Sequence, residues 1–209
     1  MPHQLPALLL GIIVTVYWAR VLKMVVKQRR RTGRDANFVP RETLGRTLRI
    51  IWYPAVILWI IIPFVAALWP GRIPGLNPYR LPIAFPWIAA FIAAACLILT
   101  WICWRKMGRS WRMGIDPDEK TQLIVSGPYA YVRHPIYALQ ILLALASMVV
   151  ILSFAMVVTC GIIIIFLYWE ARREEEYLLR LHGEIYGSYK NCVGGFFPRS
   201  FVPYRTACV

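Results

Sequence analysis

Apolar residues gather into long runs separated by short charged stretches. Residues 5–26, LPALLLGIIVTVYWARVLKMVV, make the first run, with Arg20 and Lys23 near its end. Long basic side chains in that position reach back to the membrane interface. A basic stretch follows, KQRRRTGRDANFVPRETLGRTLR, and then a second run over residues 50–69 that contains Pro54 and Pro63. Neighbouring helices can absorb such prolines. The Pro-rich segment PGRIPGLNPYRLP leads to a third run, residues 83–104, with Trp87, Trp101 and Trp104 toward its ends, as interface anchors often lie. A polar connection leads to residues 136–169, an apolar run of 34 residues with Ser153 near its middle. A single helix of that length would measure about 51 Å, too long for one bilayer crossing. The pattern therefore predicts two helices of about 17 residues joined by a tight turn. A polar C-terminal tail is expected from Glu170 onward.

These runs predict an all-α integral membrane protein of about five transmembrane helices, the N-terminus outside and the tail in the cytoplasm. In that orientation only Arg72 and Arg80, of 24 Lys and Arg residues, lie outside. The opposite orientation violates the positive-inside rule. All ten acidic residues fall on the cytoplasmic side too. The expected setting is a bacterial or archaeal plasma membrane, with one membrane domain over residues 1–209. Within it, residues 1–107 hold the first three spans, and residues 108–209 hold the chemistry.

Composition agrees: 59% of residues are hydrophobic and the mean hydropathy is +0.55, which excludes a disordered chain and an ordinary soluble domain. The net charge of +14 sits in the loops, where orientation signals belong, so no nucleic-acid partner is expected. Residues 27–31, KQRRR, read as such a signal and as a contact for anionic lipid. The five cysteines are odd in number and carry no CxxC pattern. No disulfide framework and no metal site are expected. Cys208 is next to last, which excludes a CaaX box. The first run lacks a basic leader and a cleavage site, and reads as a retained helix.

Polar chemistry concentrates in two segments. The first is LIVSGPYAYVRHPIY, residues 123–137. Gly127 and Pro128 signal a turn. Pro135 disfavours helix at His134 and suits the first turn of the next helix, whose amides favour a carboxylate. The second is REEEYLLRLHGEIYGSYKNCVGGFFPR, residues 173–199, in which Gly183 ends a helix and Tyr186 and Tyr189 share a face. Taken singly, these residues have plainer readings. His134 is a capping or interfacial histidine. Glu174, Glu175 and Glu176 form a solvated face pairing with Arg172, Arg173 and Arg180. Tyr186 and Tyr189 anchor at the interface. The RSWR patch, residues 109–112, is interfacial or part of a lid.

Together, GPYAYVRHPIY, an apolar hairpin and EEEYLLRLHGEIYGSYKNCVGGFFP resemble the isoprenylcysteine carboxyl methyltransferase family, over roughly residues 108–199. That family stands in a wider group that includes phospholipid N-methyltransferases. The resemblance implies S-adenosylmethionine as methyl donor, held on the cytoplasmic side, and a lipophilic substrate entering from the bilayer among membrane lipids. It implies cofactor contacts at His134, Pro135 and Tyr137, an apolar adenine loop at Leu123, Val125 and Gly127, and an acidic pair at Glu174 and Glu175. The ligand's chemistry fits those residue types. A Glu pair meets the ammonium or sulfonium, Arg133 or the helix start meets the carboxylate, and Tyr129, Tyr131 or Tyr137 lies against the sulfonium. Arg133, Glu174 and Glu175 are the candidate catalytic residues; Tyr186, Tyr189 and Arg199 are the candidate substrate contacts.

One position departs from the family. Its carboxyl methyltransferases often carry an arginine four residues before the Glu pair, where Glu170 stands here. Arg133 or Arg199 is then left to orient an acceptor carboxylate. Three readings stay open: carboxyl methylation of a prenylated or isoprenoid-like acid, N-methylation of a phospholipid headgroup, and a non-catalytic lipid-binding scaffold. A carboxylate is ionised at neutral pH and needs no general base. An ammonium must first lose a proton, for which Glu174 or Glu175 is placed. No ionisable residue falls mid-span, which argues against an ion transporter.

Overall fold

The computed structural model describes residues 3–33, 43–72, 81–108, 111 and 123–204. They form six α-helices: α1 (Gln4–Thr32), α2 (Thr43–Leu68), α3 (Ala84–Met107), α4 (Pro135–Val150), α5 (Phe154–His182) and α6 (Glu184–Cys192). A 3-10 turn, Gly127–Ala130, precedes α4. Among the described residues there is no strand. Four helices are long and apolar enough to cross a membrane, and α4 is a shorter apolar helix of 16 residues. The all-helical architecture of about five apolar helices is as the runs predict.

The long apolar run does break into two helices at Ser153. Its side chain accepts a hydrogen bond from the Met156 amide at 3.3 Å and so caps α5. Elsewhere the helices outrun their apolar segments. α1 continues through the basic residues 27–31, α2 starts ahead of residue 50, and α5 passes Glu170 without interruption to His182. The extensions of α1 and α2 fall where a loop was expected; in the tail, the helix expected to end at Gly183 is continuous with the span, because EARREEEYLLRL holds no glycine or proline and is rich in good helix formers. α5 ends at Gly183, whose φ of +55° is costly for other residues. Most of the Pro-rich segment, and residues 109–110 and 112–122 of the polar connection, lie outside the described residues. Of the RSWR patch only Trp111 is described, and it is buried.

Helix packing relies on small residues and on paired polar groups, because lipid is as apolar as a leucine surface. Ala89, Ala90, Ala93 and Cys96 of α3 are buried, as are Ala144 and Ser147 of α4, and these two helices share the most extensive contact. The Trp59 indole donates to Ser147 Oγ at 2.9 Å, tying α2 to α4, and the Tyr17 hydroxyl donates to Gln140 Oε1 at 3.1 Å, tying α1 to α4. Outer faces carry exposed Ile57, Ile61, Phe91, Ile98 and Ile165, which suit lipid chains. Cys96, Cys103 and Cys160 are free and buried. Cys192 differs from the expectation of no disulfides: it is disulfide-bonded.

Candidate active site

The two polar segments meet at the end of the bundle where α4 begins and α5 runs out beyond its apolar part. Just before α4, Val132 pairs with Gly194 in an isolated parallel bridge. The Arg133 amide donates to the Gly194 carbonyl at 2.8 Å and the His134 amide to the Gly195 carbonyl at 3.0 Å. Gly194 has to be glycine, since a Cβ there would stand 1.8 Å from the Phe197 carbonyl oxygen. Behind this contact, Tyr186, Tyr189 and Val193 form a small buried cluster, with Leu123 and Val125 packed on it. The Tyr189 hydroxyl donates to the Tyr129 carbonyl at 2.6 Å, and burial pushes this phenol above its ordinary pKa, so it stays a donor.

Glu175 gathers the cations at this end. Arg133 donates to Glu175 Oε1 from Nε at 3.0 Å and from Nη2 at 2.6 Å. His134 Nε2 lies 3.1 Å from the same oxygen, and Lys190 Nζ lies 3.0 Å from Oε2. Arg133 Nη1 donates to the Lys190 carbonyl at 3.0 Å and to the Val193 carbonyl. Every guanidinium nitrogen of Arg133 is thereby occupied, which binds the RHP segment to α5, α6 and the GG segment at once. Charge-assisted, forked bonds of this kind fix geometry strongly.

Glu174, one residue earlier on α5, faces the other way. Met107, Trp111, Tyr129, Arg133, His134, Pro135, Ile136, Tyr137 and Glu174 line a recess of about 510 Å³. Glu174 Oε2 is 3.8 Å from His134 Nδ1. The His134 and Tyr137 rings stack at 5.6 Å with 9° between their planes. Pro135 is the first residue of α4, so the Ile136 and Tyr137 amides in that first turn have no helical partner. The buried Tyr129 hydroxyl has no partner among the described residues. The recess thus offers one carboxylate, several ring faces and unpaired donors, at the edge of an apolar bundle.

Residues 87–180 match the family model of the isoprenylcysteine carboxyl methyltransferases. The match supports a membrane methyltransferase, and the resemblance read from the two motifs holds over the residues it covers. It takes in α3, the RHP segment, α4 and nearly all of α5, and stops short of α6 and the GG segment. No curated protein matches the chain.

Of the residues singled out by resemblance to this methyltransferase family, the fold collects Tyr129, Arg133, His134, Pro135, Tyr137 and Glu174 around one recess. Glu175 is joined to it through Arg133 and His134. Leu123, Val125, Tyr186 and Tyr189 lie in or on the cluster behind. Gly127 opens the 3-10 turn with φ +66°, and Tyr131 is exposed. Arg199 is exposed and donates to the Asn191 carbonyl at 2.5 Å. Lys190 and Phe196, whose ring centroid lies 5.9 Å from that of His134, were not foreseen, and Trp111 was read only as part of an interfacial patch or lid. The GG pair in KNCVGGFFP was the one sequence signal for this close approach.

Proposed function

We propose that the chain transfers a methyl group from S-adenosylmethionine to the carboxylate of a prenylated or isoprenoid-like acceptor that enters from the bilayer. The observation that carries this reading is the recess at the start of α4. It joins Glu174, stacked rings and the first turn of α4 at the end of an apolar bundle. When bound, S-adenosylmethionine supplies a methyl group made electrophilic by its sulfonium. Glu174 meets the ammonium of its amino-acid part, and the Ile136 and Tyr137 amides suit its carboxylate. Tyr137, Tyr129 and Trp111 give ring faces for a cation and keep water away. Arg133 and Glu175 act one step back: they hold His134 and the helix start in position. The acceptor arrives ionised, so the residues' work is alignment and desolvation, with no proton to remove. By the positive-inside rule the recess opens to the cytoplasm.

The test uses S-adenosylmethionine with a labelled methyl group, added to membranes holding the protein or its His134→Ala variant. The product is then treated with base. Label released as volatile methanol, and lost in the variant, is the expected result. Label retained in lipid replaces this reading with N-methylation, and no protein-dependent label removes both.

A further inference from the structure

A second recess, again of about 510 Å³, lies deeper between the helices and shares Trp111, Ile136 and Tyr137 with the first. Its walls are mostly aromatic, but two charged side chains face each other in it. Arg49 of α2 and Glu170 of α5 are 3% and 4% exposed. Arg49 Nη2 is 3.5 Å from Glu170 Oε1, and Arg173 Nη1 is 3.4 Å from Glu170 Oε2. The Arg49 guanidinium also stands 4.7 Å above the Trp52 ring and 5.3 Å above that of Phe166. One carboxylate here answers two arginines.

The polar atoms left over all have the same character. Arg49 Nε and Nη1, Gln140 Nε2, Trp18 Nε1 and Trp52 Nε1 are buried and have no hydrogen-bond partner among the described residues. All four residues line this recess. Every one of these atoms is a donor. The acceptors are taken: Gln140 Oε1 receives Tyr17, and both Glu170 oxygens face an arginine. Buried donors without partners are costly, and an anion supplies what they lack, whereas an ammonium would leave them unpaired and compete with the arginines already at Glu170.

We infer that this recess seats the anionic head of the methyl acceptor, with Arg49 as the residue that receives its carboxylate and Gln140 and the two indoles as further donors. The inference rests on the proposed methyl transfer and deepens it. It supplies the cation that is missing where Glu170 replaces the family's arginine, and it brings that cation from α2. Glu170 then competes with the incoming acid for Arg49, so the pair acts as an internal plug that the acceptor displaces. Tyr137, shared by both recesses, stands between the two ligands.

The test measures binding, with no methyl transfer required. The full chain in lipid nanodiscs is titrated with farnesylthioacetic acid and with its amide, following indole fluorescence. The acid is expected to bind at least tenfold tighter than the amide. Arg49→Gln/Glu170→Gln, which removes both charges of the buried pair together, erases that preference while keeping S-adenosylmethionine affinity. Glu170→Gln alone tightens the acid severalfold, and Arg49→Lys keeps the preference for acid. Equal binding of acid and amide by the unaltered protein overturns the inference. So does an undiminished preference in the double variant, or a loss of preference in Arg49→Lys. Failure to form a methyl ester, with the acid preference and its Arg49 dependence intact, overturns the proposed reaction and leaves this anion site standing.

Discussion

Two arginine–glutamate pairs end on α5, five residues apart, one half-buried and one buried, and they differ in how completely their hydrogen bonds are used. At Arg133–Glu175 each guanidinium nitrogen has an acceptor, and both carboxylate oxygens have donors. At Arg49–Glu170 the contact is longer, 3.5 Å, and two of the three guanidinium nitrogens have no partner among the described residues. A saturated pair gains most from staying as it is, since breaking it strands a buried charge. An undersaturated pair gains from a further ligand. The first pair therefore holds the site together, and the second is where binding energy is still to be made.

The comparison can be broken in order of expected effect. Gly194→Ala forces the Phe197 carbonyl away from the clamp around Arg133; it should cost more than about 4 kcal/mol and abolish S-adenosylmethionine binding. Chemical unfolding in detergent, read beside cofactor binding, checks this. Glu175→Ala leaves Arg133 and Lys190 without their carboxylate and should destabilise by about 3–5 kcal/mol. A mild effect there would mean the saturated pair is not what holds this end. Ser147→Ala strands the buried Trp59 indole, a neutral reference worth about 1–3 kcal/mol by the same unfolding measurement. Glu174→Gln should change stability by less than about 0.5 kcal/mol, because this side chain is 31% exposed and outside the clamp, yet weaken cofactor binding about tenfold or more. If it unfolds the protein as Glu175→Ala does, the division of labour between neighbouring glutamates fails. Arg199→Ala should leave the thermal midpoint where it was, since its one bond runs along the surface.

Much of this was legible from residue order. The break at Ser153 follows from a run too long for one crossing, and the helix end at Gly183 from glycine's tolerance of positive φ. The GPYAYVRHPIY motif marked the recess because a turn, a Pro at the first helical position and a ring-rich stretch are all local signals. The end of α1 and the start of α2 were misplaced for an equally local reason. Hydropathy marks where the bilayer stops, while backbone hydrogen bonding continues through any polar stretch of good helix formers.

What residue order could not supply is which charge meets which. Glu174 and Glu175 are adjacent in EEEYLLRL, but the helix turns one toward the recess and the other into the clamp. Arg49 reads as one of many basic residues flanking a span, and Glu170 as the start of a polar tail. Only the packing of α2 against α5 brings them together, more than a hundred residues apart in the chain, under aromatic walls that no periodicity reveals. The sequence by itself determined the apolar helices, their breaks and the motif at the mouth of α4, because those depend on neighbours along the chain. The tertiary structure decided which buried donors are satisfied and which are left waiting, because that depends on groups that meet only when the helices pack.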